Sequence, residues 1–163
     1  DSLDALERFI ALYPGSKKIS YAYYLRALNY FEQIRDVERD QSMTARSKQA
    51  FNEVINKYPE SEFTEDAYAK IDIINDRLAA KEIEIARFYQ FNSQWIAAIN
   101  RYNGILEQYS TSIYTEESLF RLVEIYFSLG LYEEAKRYAS TLGHNFPSSD
   151  WYKKSYEIVK DLT

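Results

Sequence analysis

The chain has 163 residues, of which 46% are hydrophobic and 17% aromatic, so it can bury a continuous core and is not expected to be disordered. Its formal net charge of -5 is opposite in sign to the positive excess that nucleic-acid-binding proteins carry, so DNA and RNA are not expected partners. It has no cysteine, which excludes disulfides, thiol chemistry and zinc-thiolate sites.

The first part of the chain predicts a single helix followed by a helical hairpin. Apolar spacing predicts a helix over 2–12, and since no partner helix precedes it, we expect half of a hairpin from a longer protein. A second helix is predicted to begin at an N-cap, Ser20, and to run to about residue 34. The charged stretch 35–42 predicts a lengthened loop before a return helix over about 44–57.

The second part predicts two further hairpins and a last helix. N-caps are predicted at Thr64 and Thr115. Between Thr64 and Gly104 there is no Gly or Pro, which predicts one long helix over about 65–91 and a return helix over 94–108. Gly130 is placed to make the turn of the last hairpin, and a final helix over 150–162 is predicted to cap the array.

The chain repeats at a period of about 37 residues, which brings Ala98 onto Ala135 and Ile105 onto Leu142. The return helix of the earlier hairpin follows the same pattern, with Ser47, Phe51 and Val54 at the positions of Ala98, Tyr102 and Ile105. A small residue at a helix crossing, surrounded by aromatic residues, is typical of a tetratricopeptide hairpin. We therefore predict an all-α, tetratricopeptide-like helical hairpin array (an α-solenoid) with a carboxy-terminal capping helix.

We expect one tetratricopeptide domain over 1–163. Its predicted parts are a half repeat (1–14), a repeat with a lengthened loop (19–59), a repeat with a long first helix (64–110), a further repeat (115–147) and a capping helix (149–162).

Residues suited to catalysis or metal binding do not form a recognisable set. The only histidine, His144, lies at a predicted helix end, and the four glycines are too scattered for a phosphate-binding loop. Paired acids are typical of solvated faces in acidic helices. We therefore expect no catalytic residues, no cofactor and no metal, and we predict that the chain is not an enzyme.

Two surfaces remain as candidate binding sites. The first helices of tetratricopeptide hairpins line a concave groove, and this groove is predicted to expose Ile83, Arg87, Gln90, Phe120, Glu124 and Phe127. The second candidate is the outward face of the return helix at Asn100 and Arg101, beside the turn over 88–94, because a guanidinium with nearby amides and rings suits a protein interface. Spacing alone leaves open whether Arg101 instead pairs with Glu107 or a neighbouring acid.

Five stretches resemble the BamD family, the tetratricopeptide lipoproteins of the outer-membrane β-barrel assembly machinery. They are SYAYYLRAL (20–28), ERDQSMTAR (38–46), DRLAAKEIEIARFY (76–89), AAINRYNGIL (97–106) and LVEIYFSLGL (122–131). The resemblance covers essentially the whole chain and keeps the motifs in order. It implies that the chain is the carboxy-terminal part of a five-hairpin protein.

The resemblance also implies a function. It implies a non-enzymatic scaffold at the periplasmic face of the Gram-negative outer membrane, lipid-anchored in the full-length protein. Its partners would be the periplasmic domains of the barrel-forming subunit and the other accessory lipoproteins, with no nucleic acid. The residues expected at this contact are Arg101, Asn100, Tyr89, Asn92 and Gln94. Ser93 departs from the glycine that the family often has nearby.

The alternative is a peptide-binding chaperone module. It would take unfolded outer-membrane-protein peptides in the concave groove, through Arg87, Gln90, Phe120, Glu124 and Phe127.

Overall fold

The computed structural model describes residues 2–36 and 41–162, and these ranges form eight helices without a β-strand. The helices are α1 (Ser2–Leu12), α2 (Ile19–Asp36), α3 (Gln41–Lys57), α4 (Thr64–Phe91), α5 (Trp95–Gln108), α6 (Thr115–Ser128), α7 (Tyr132–Asn145) and α8 (Asp150–Val159). The predicted all-α, tetratricopeptide-like class is confirmed. The division into repeats of one domain over 1–163 stays a prediction.

The chain forms two compact units, Asp1–Ile74 and Asn75–Thr163, and α4 contributes to both. In the first unit, α2 and α3 form a hairpin whose interior is filled by rings. The Phe51 ring lies 6.1 Å from the Phe31 ring and 6.3 Å from the Tyr24 ring, and Tyr24 stacks on Phe63 at 4.9 Å. Of the predicted lengthened loop 35–42, the central residues 37–40 lie outside the described part, while its ends are helical.

The buried positions of the hairpins are those that the repeat pattern predicts. In the first unit, Ser47, Phe51 and Val54 are fully buried on α3. In the second unit, Ala98, Tyr102 and Ile105 are fully buried on α5, and so are Ala135 and Leu142 on α7. The small residue lets two helices approach closely, and the large ones fill the space beside it.

The turns after α4 and α6 share one geometry. Ser93 and Gly130 have φ values of 58° and 75°, the left-handed conformation. In each turn the left-handed residue and the next one donate their N–H groups back to the helix. Ser93 N donates to Gln90 O at 3.0 Å and Gln94 N to Tyr89 O at 2.9 Å, which is the hydrogen-bond pattern of a Schellman motif.

A serine precedes each of four helices, and the predicted N-caps were wrong. Ser16, Ser61, Ser112 and Ser149 each accept a hydrogen bond from the backbone N–H two residues later. Ser20 instead lies inside α2. The Thr64 and Thr115 hydroxyls donate to the carbonyls of Tyr58 and Tyr109, at 2.8 and 3.2 Å.

Within the second unit, helix α8 packs on α6 and α7 as a capping helix should. The Trp151 ring lies 5.2 Å from the ring of Phe120, while Lys153, Lys154 and Lys160 are exposed. Helix α7 meets α8 closely at Gly143, where a Cβ atom would lie 2.5 Å from a ring carbon of Tyr152. The helix ends at Val159, three residues before the predicted end.

Candidate partner-binding surface

Arg101 lies on α5 and reaches across the hairpin to α4. Its Nη1 atom donates a hydrogen bond to Glu82 Oε2 at 2.7 Å. The sequence left Glu107 or another acid open as its partner, and the structure selects Glu82. The Arg101 side chain is still 42% exposed, so a partner protein can reach it.

The environment of Arg101 favours its charge. The hydrogen bond that the guanidinium donates to Glu82 raises the pKa of Arg101, and the charge of that carboxylate and the hydroxyl of Tyr89 add to this effect. Tyr89 is only half-buried, and its ring packs against the core that contains Ala98 and Ile105. Glu82, Tyr89 and Arg101 therefore form one connected group at the α4–α5 hairpin.

The amide side chains predicted at this surface are exposed. Asn100 lies beside Arg101 on α5, and Asn92 and Gln94 flank the left-handed residue of the turn. Asn92 Nδ2 donates to Phe88 O at 2.8 Å, so this amide has a local role at the end of α4. We call Tyr89, Asn92, Gln94, Asn100 and Arg101 the α5 surface.

Three large apolar residues near the α5 surface are exposed but do not belong to the set of contact residues expected from the sequence. Phe88 and Ile96 are mostly exposed, and Phe91 is 89% exposed. The sequence does indicate their exposure, because residues two positions apart lie on different faces of a helix. Phe88 lies two positions after the buried Ala86, and Ile96 lies two positions before the buried Ala98. Exposed apolar side chains of this size next to a cation favour a protein-binding role for this end of the hairpin.

The alternative groove corresponds to the α4–α6 face, which we define by Arg87, Gln90, Phe120, Glu124 and Phe127. The Arg87 guanidinium binds the buried Glu117 carboxylate through two hydrogen bonds, Nε to Oε1 at 2.9 Å and Nη2 to Oε2 at 2.5 Å. Arg121 Nε donates to the same carboxylate at 3.3 Å. Arg87 is thus engaged within the chain, although its side chain is 45% exposed, about as much as that of Arg101.

The amide of Gln90 extends this network. Gln90 Oε1 accepts from the Tyr102 hydroxyl at 2.8 Å, and Gln90 Nε2 donates to Glu124 Oε2 at 3.2 Å. Arg121 Nη1 also donates to Glu124, at 2.8 Å. Burial opposes ionisation of Glu117, but the hydrogen bonds and charges of Arg87 and Arg121 outweigh it and lower the pKa of the carboxyl.

The predicted exposure of the concave groove was wrong at two positions. Ile83 is buried in the core, and Phe120 is only 6% exposed because Trp151 of α8 covers its ring. Phe127 is 37% exposed and packs on the ring of Tyr132 at 5.4 Å. This face holds helices together more than it offers side chains to a peptide.

Among the described residues, no group of three or more His, Asp or Glu side chains is placed to hold a metal ion. His144 lies exposed in the last turn of α7, as expected for a helix-terminal residue. No helix in the ranges 2–36 and 41–162 combines the length and apolar character that crossing a membrane requires.

Comparison with known proteins finds relatives that belong to one family. A sequence profile of the YfiO family, described as "Outer membrane lipoprotein", matches residues 1–142. Proteins named "Outer membrane protein assembly factor BamD" are similar over nearly the whole chain. Those of Caulobacter vibrioides and Rickettsia prowazekii are each 47% identical over 161 residues, covering 99% of this chain and 53% and 64% of the relatives. The Neisseria meningitidis serogroup A protein is 32% identical over 166 residues, covering 96% of this chain and 62% of its own length.

The described residues therefore define a protein of helical hairpins whose candidate site is an exposed surface of polar and apolar side chains. The chain belongs to the BamD (YfiO) family of outer membrane lipoproteins. It spans about half to two thirds of the length of these curated relatives. By its name the family is one of assembly factors.

Proposed function

We propose that this chain is a non-enzymatic scaffold for the assembly of outer-membrane proteins. Its relatives are named assembly factors for such proteins, and the family description agrees with a location at the periplasmic face of the outer membrane. The proposed main partner is the barrel-forming subunit of the assembly machinery, bound through its periplasmic domains. Other accessory lipoproteins and unfolded outer-membrane-protein peptides are further proposed partners.

The observation that carries the proposal is the position of Arg101. Its guanidinium is charged, held in place by Glu82 and 42% exposed on the outward side of a rigid hairpin. Arginine is enriched among the residues that dominate protein interfaces, because its planar group forms several directed hydrogen bonds. The core beneath it, with Ala98 fully buried, fixes the helix that carries it.

The proposed mechanism is the rigid presentation of a preformed surface. Arg101 and Asn100 supply polar contacts, and the exposed rings at the α4–α5 turn supply apolar area. Since the hairpin needs no rearrangement to present these groups, little conformational entropy is lost on binding. Loss of a well-packed interface arginine costs about 2 kcal/mol or more of binding free energy.

The first test replaces Arg101→Glu and measures binding to the periplasmic domains of the barrel-forming subunit by titration calorimetry. We expect affinity to fall at least about 30-fold, the equivalent of 2 kcal/mol, with helicity unchanged by circular dichroism. The matched control is Arg137→Glu, which makes the same charge change at an exposed arginine on α7 that pairs with Glu134. Unchanged affinity of Arg101→Glu would refute the assignment of this site.

A second variant separates binding from folding. Glu82→Gln removes the charge that holds the Arg101 guanidinium within the hairpin. If the guanidinium contacts the partner, this variant keeps its affinity or gains some, because one intramolecular competitor is gone. If the Glu82–Arg101 pair only supports the hairpin, both variants lose affinity together, which contradicts the proposal.

A further inference from the structure

A small cavity between α2 and α3 in the first unit has a lining rich in hydrogen-bond donors. Its volume is about 190 Å³. It is lined by Arg26, Tyr30, Arg46, Gln49, Ala50 and Glu53. None of these residues belongs to the α5 surface, so the cavity has no part in the function proposed above.

Arg26 has a donor that the chain does not satisfy. Its side chain is 17% exposed, its Nη2 atom pairs with Glu53, and its guanidinium lies over the Tyr23 ring at 4.8 Å. The Nε atom, however, is buried without a hydrogen-bond partner. A buried donor left in this state costs about 1–3 kcal/mol. Such a group in a native protein calls for an explanation, and a bound ion is one.

A second guanidinium lines the same cavity. Arg46 is exposed and makes no hydrogen bond or ion pair with any residue that the structure describes. The nearby hydroxyl of Tyr30 is bound only loosely, to Glu7 Oε1 at 3.5 Å. The one acid of the lining, Glu53, already pairs with Arg26. The lining itself therefore contains two cations and one carboxylate, with the Glu7 carboxylate beside it at the Tyr30 hydroxyl.

We propose that this cavity binds a small oxyanion, the carboxylate or phosphate group of a ligand, between the guanidinium groups of Arg26 and Arg46. The planar fork of an arginine matches the oxygen geometry of both anions. The side chains of Gln49 and Tyr30 lie in the lining and can complete the set of donors. A metal cation is disfavoured because the one carboxylate of the lining already pairs with Arg26, and an apolar ligand would leave Arg46 without an acceptor.

The test follows the arginine side-chain Nε–H signals of the ¹⁵N-labelled chain by NMR. Sodium phosphate and sodium acetate are added in separate titrations at constant ionic strength, and Arg26→Lys identifies the Arg26 signal by its disappearance. We expect the Arg26 signal to shift and saturate with at least one of the two anions. Shifts that grow linearly with both anions would overturn the proposal and assign the Nε–H group to water.

Two variants make the result specific to the cavity. Arg46→Gln changes an exposed side chain and should raise the Kd at least about five-fold, whereas the control Arg137→Gln on α7 should leave the Kd unchanged. Glu53→Gln removes the carboxylate that competes for Arg26 and should lower the Kd, a gain that a merely structural role for these residues does not predict. An Arg46→Gln chain with wild-type affinity contradicts the site.

A peptide pair distinguishes the possible sources of the anion. A short peptide with a free carboxyl terminus is compared with its carboxy-amidated form. Saturable binding of the free form alone supports a peptide carboxylate as the ligand, and saturation by phosphate alone supports a phosphate group. If phosphate, acetate and the peptide with a free carboxyl terminus all fail to bind saturably, the cavity is not an oxyanion site. That outcome would not affect the α5 surface, which shares no residue with the cavity.

Discussion

Ser93 and Gly130 occupy the same left-handed position in the two helix-to-helix turns of the second unit, with φ values of 58° and 75°. Both turns close with the same pair of backbone hydrogen bonds, so the geometry belongs to the repeat and not to the residue. Glycine adopts this conformation without strain, whereas a residue with a Cβ atom costs roughly 1–2 kcal/mol there. The turn before α5 therefore carries strain that the turn before α7 avoids.

Exchange of Ser93→Gly should stabilise the chain. We expect the free energy of unfolding to rise by about 1 kcal/mol, because the left-handed strain is removed. Gly130→Ser should lower it by a similar amount, since nothing lies within 4 Å of a Cβ atom there and only the backbone conformation changes. Urea denaturation followed by circular dichroism measures both. Equal stability of all three chains would show that the turn relaxes to accept serine.

The helices of both units could be predicted from the sequence because their signals are local and periodic. The apolar spacing of α4 and the absence of Gly and Pro inside it predict one long helix, and the structure has it from Thr64 to Phe91. The start signals were less informative. Ser20, Thr64 and Thr115 look like N-caps, but a hydroxyl also hydrogen-bonds elsewhere, and the serines three or four residues earlier make the helix-start turns.

The two helical glycines of the second unit should respond in opposite ways to alanine. A Cβ atom at Gly143 would lie 2.5 Å from the ring of Tyr152, so Gly143→Ala should destabilise the α7–α8 packing by about 1–3 kcal/mol. At Gly104 no atom outside the local helix backbone lies within 4 Å of a Cβ position, so Gly104→Ala should stabilise α5 by about 1 kcal/mol through helix propensity. Urea unfolding of both variants gives the comparison.

A double-mutant cycle identifies the cause of the Gly143 effect. In a Tyr152→Ala background the ring is absent, so Gly143→Ala should cost little or become favourable. A penalty that stays the same without the ring would point to a backbone effect at the end of α7.

Glu117 should be needed for the stability of the second unit. Its buried carboxylate accepts from Arg87 and Arg121, so Glu117→Gln removes a charge that two cations share. We expect the free energy of unfolding near pH 7 to fall by about 1–3 kcal/mol. This expected loss of stability is smaller than that for breaking a fully buried ion pair, because the Arg87 side chain is 45% exposed and water can solvate it. Glu133→Gln, at an exposed acid on α7, is the control.

The same residue predicts a pH dependence. The pKa of Glu117 in the folded chain lies below the ordinary glutamate value of 4.5 that applies when the chain is unfolded. Its contribution to stability is therefore fully present above pH 4.5 and is lost as the pH falls through the lower, folded pKa. The stability difference between wild type and Glu117→Gln should shrink on acidification from pH 5 to pH 3. A difference that stays constant over this range would contradict the ionised pair.

The candidate sites were harder to predict than the helices, because their contacts join residues far apart in sequence. The partner of Arg101, Glu82, lies on the preceding helix, and residue spacing along one helix reveals only neighbours on that helix. The groove prediction used general tetratricopeptide geometry, and the burial of Phe120 follows from the way α8 returns over α6. Such a tertiary contact leaves no periodic signal in the sequence.

Phe120 and Phe127 should therefore differ in what their loss affects. Phe120 is buried against Trp151, so Phe120→Ala should lower the free energy of unfolding by about 3–5 kcal/mol through lost contacts and the cavity left behind. Phe127 is partly exposed and touches mainly Tyr132, so Phe127→Ala should cost about 1 kcal/mol or less. Urea unfolding measures both values, and near-ultraviolet circular dichroism reports the packing of the aromatic side chains. If Phe120→Ala were as stable as wild type, its ring would not belong to the core, and the α4–α6 face would again be open to a peptide.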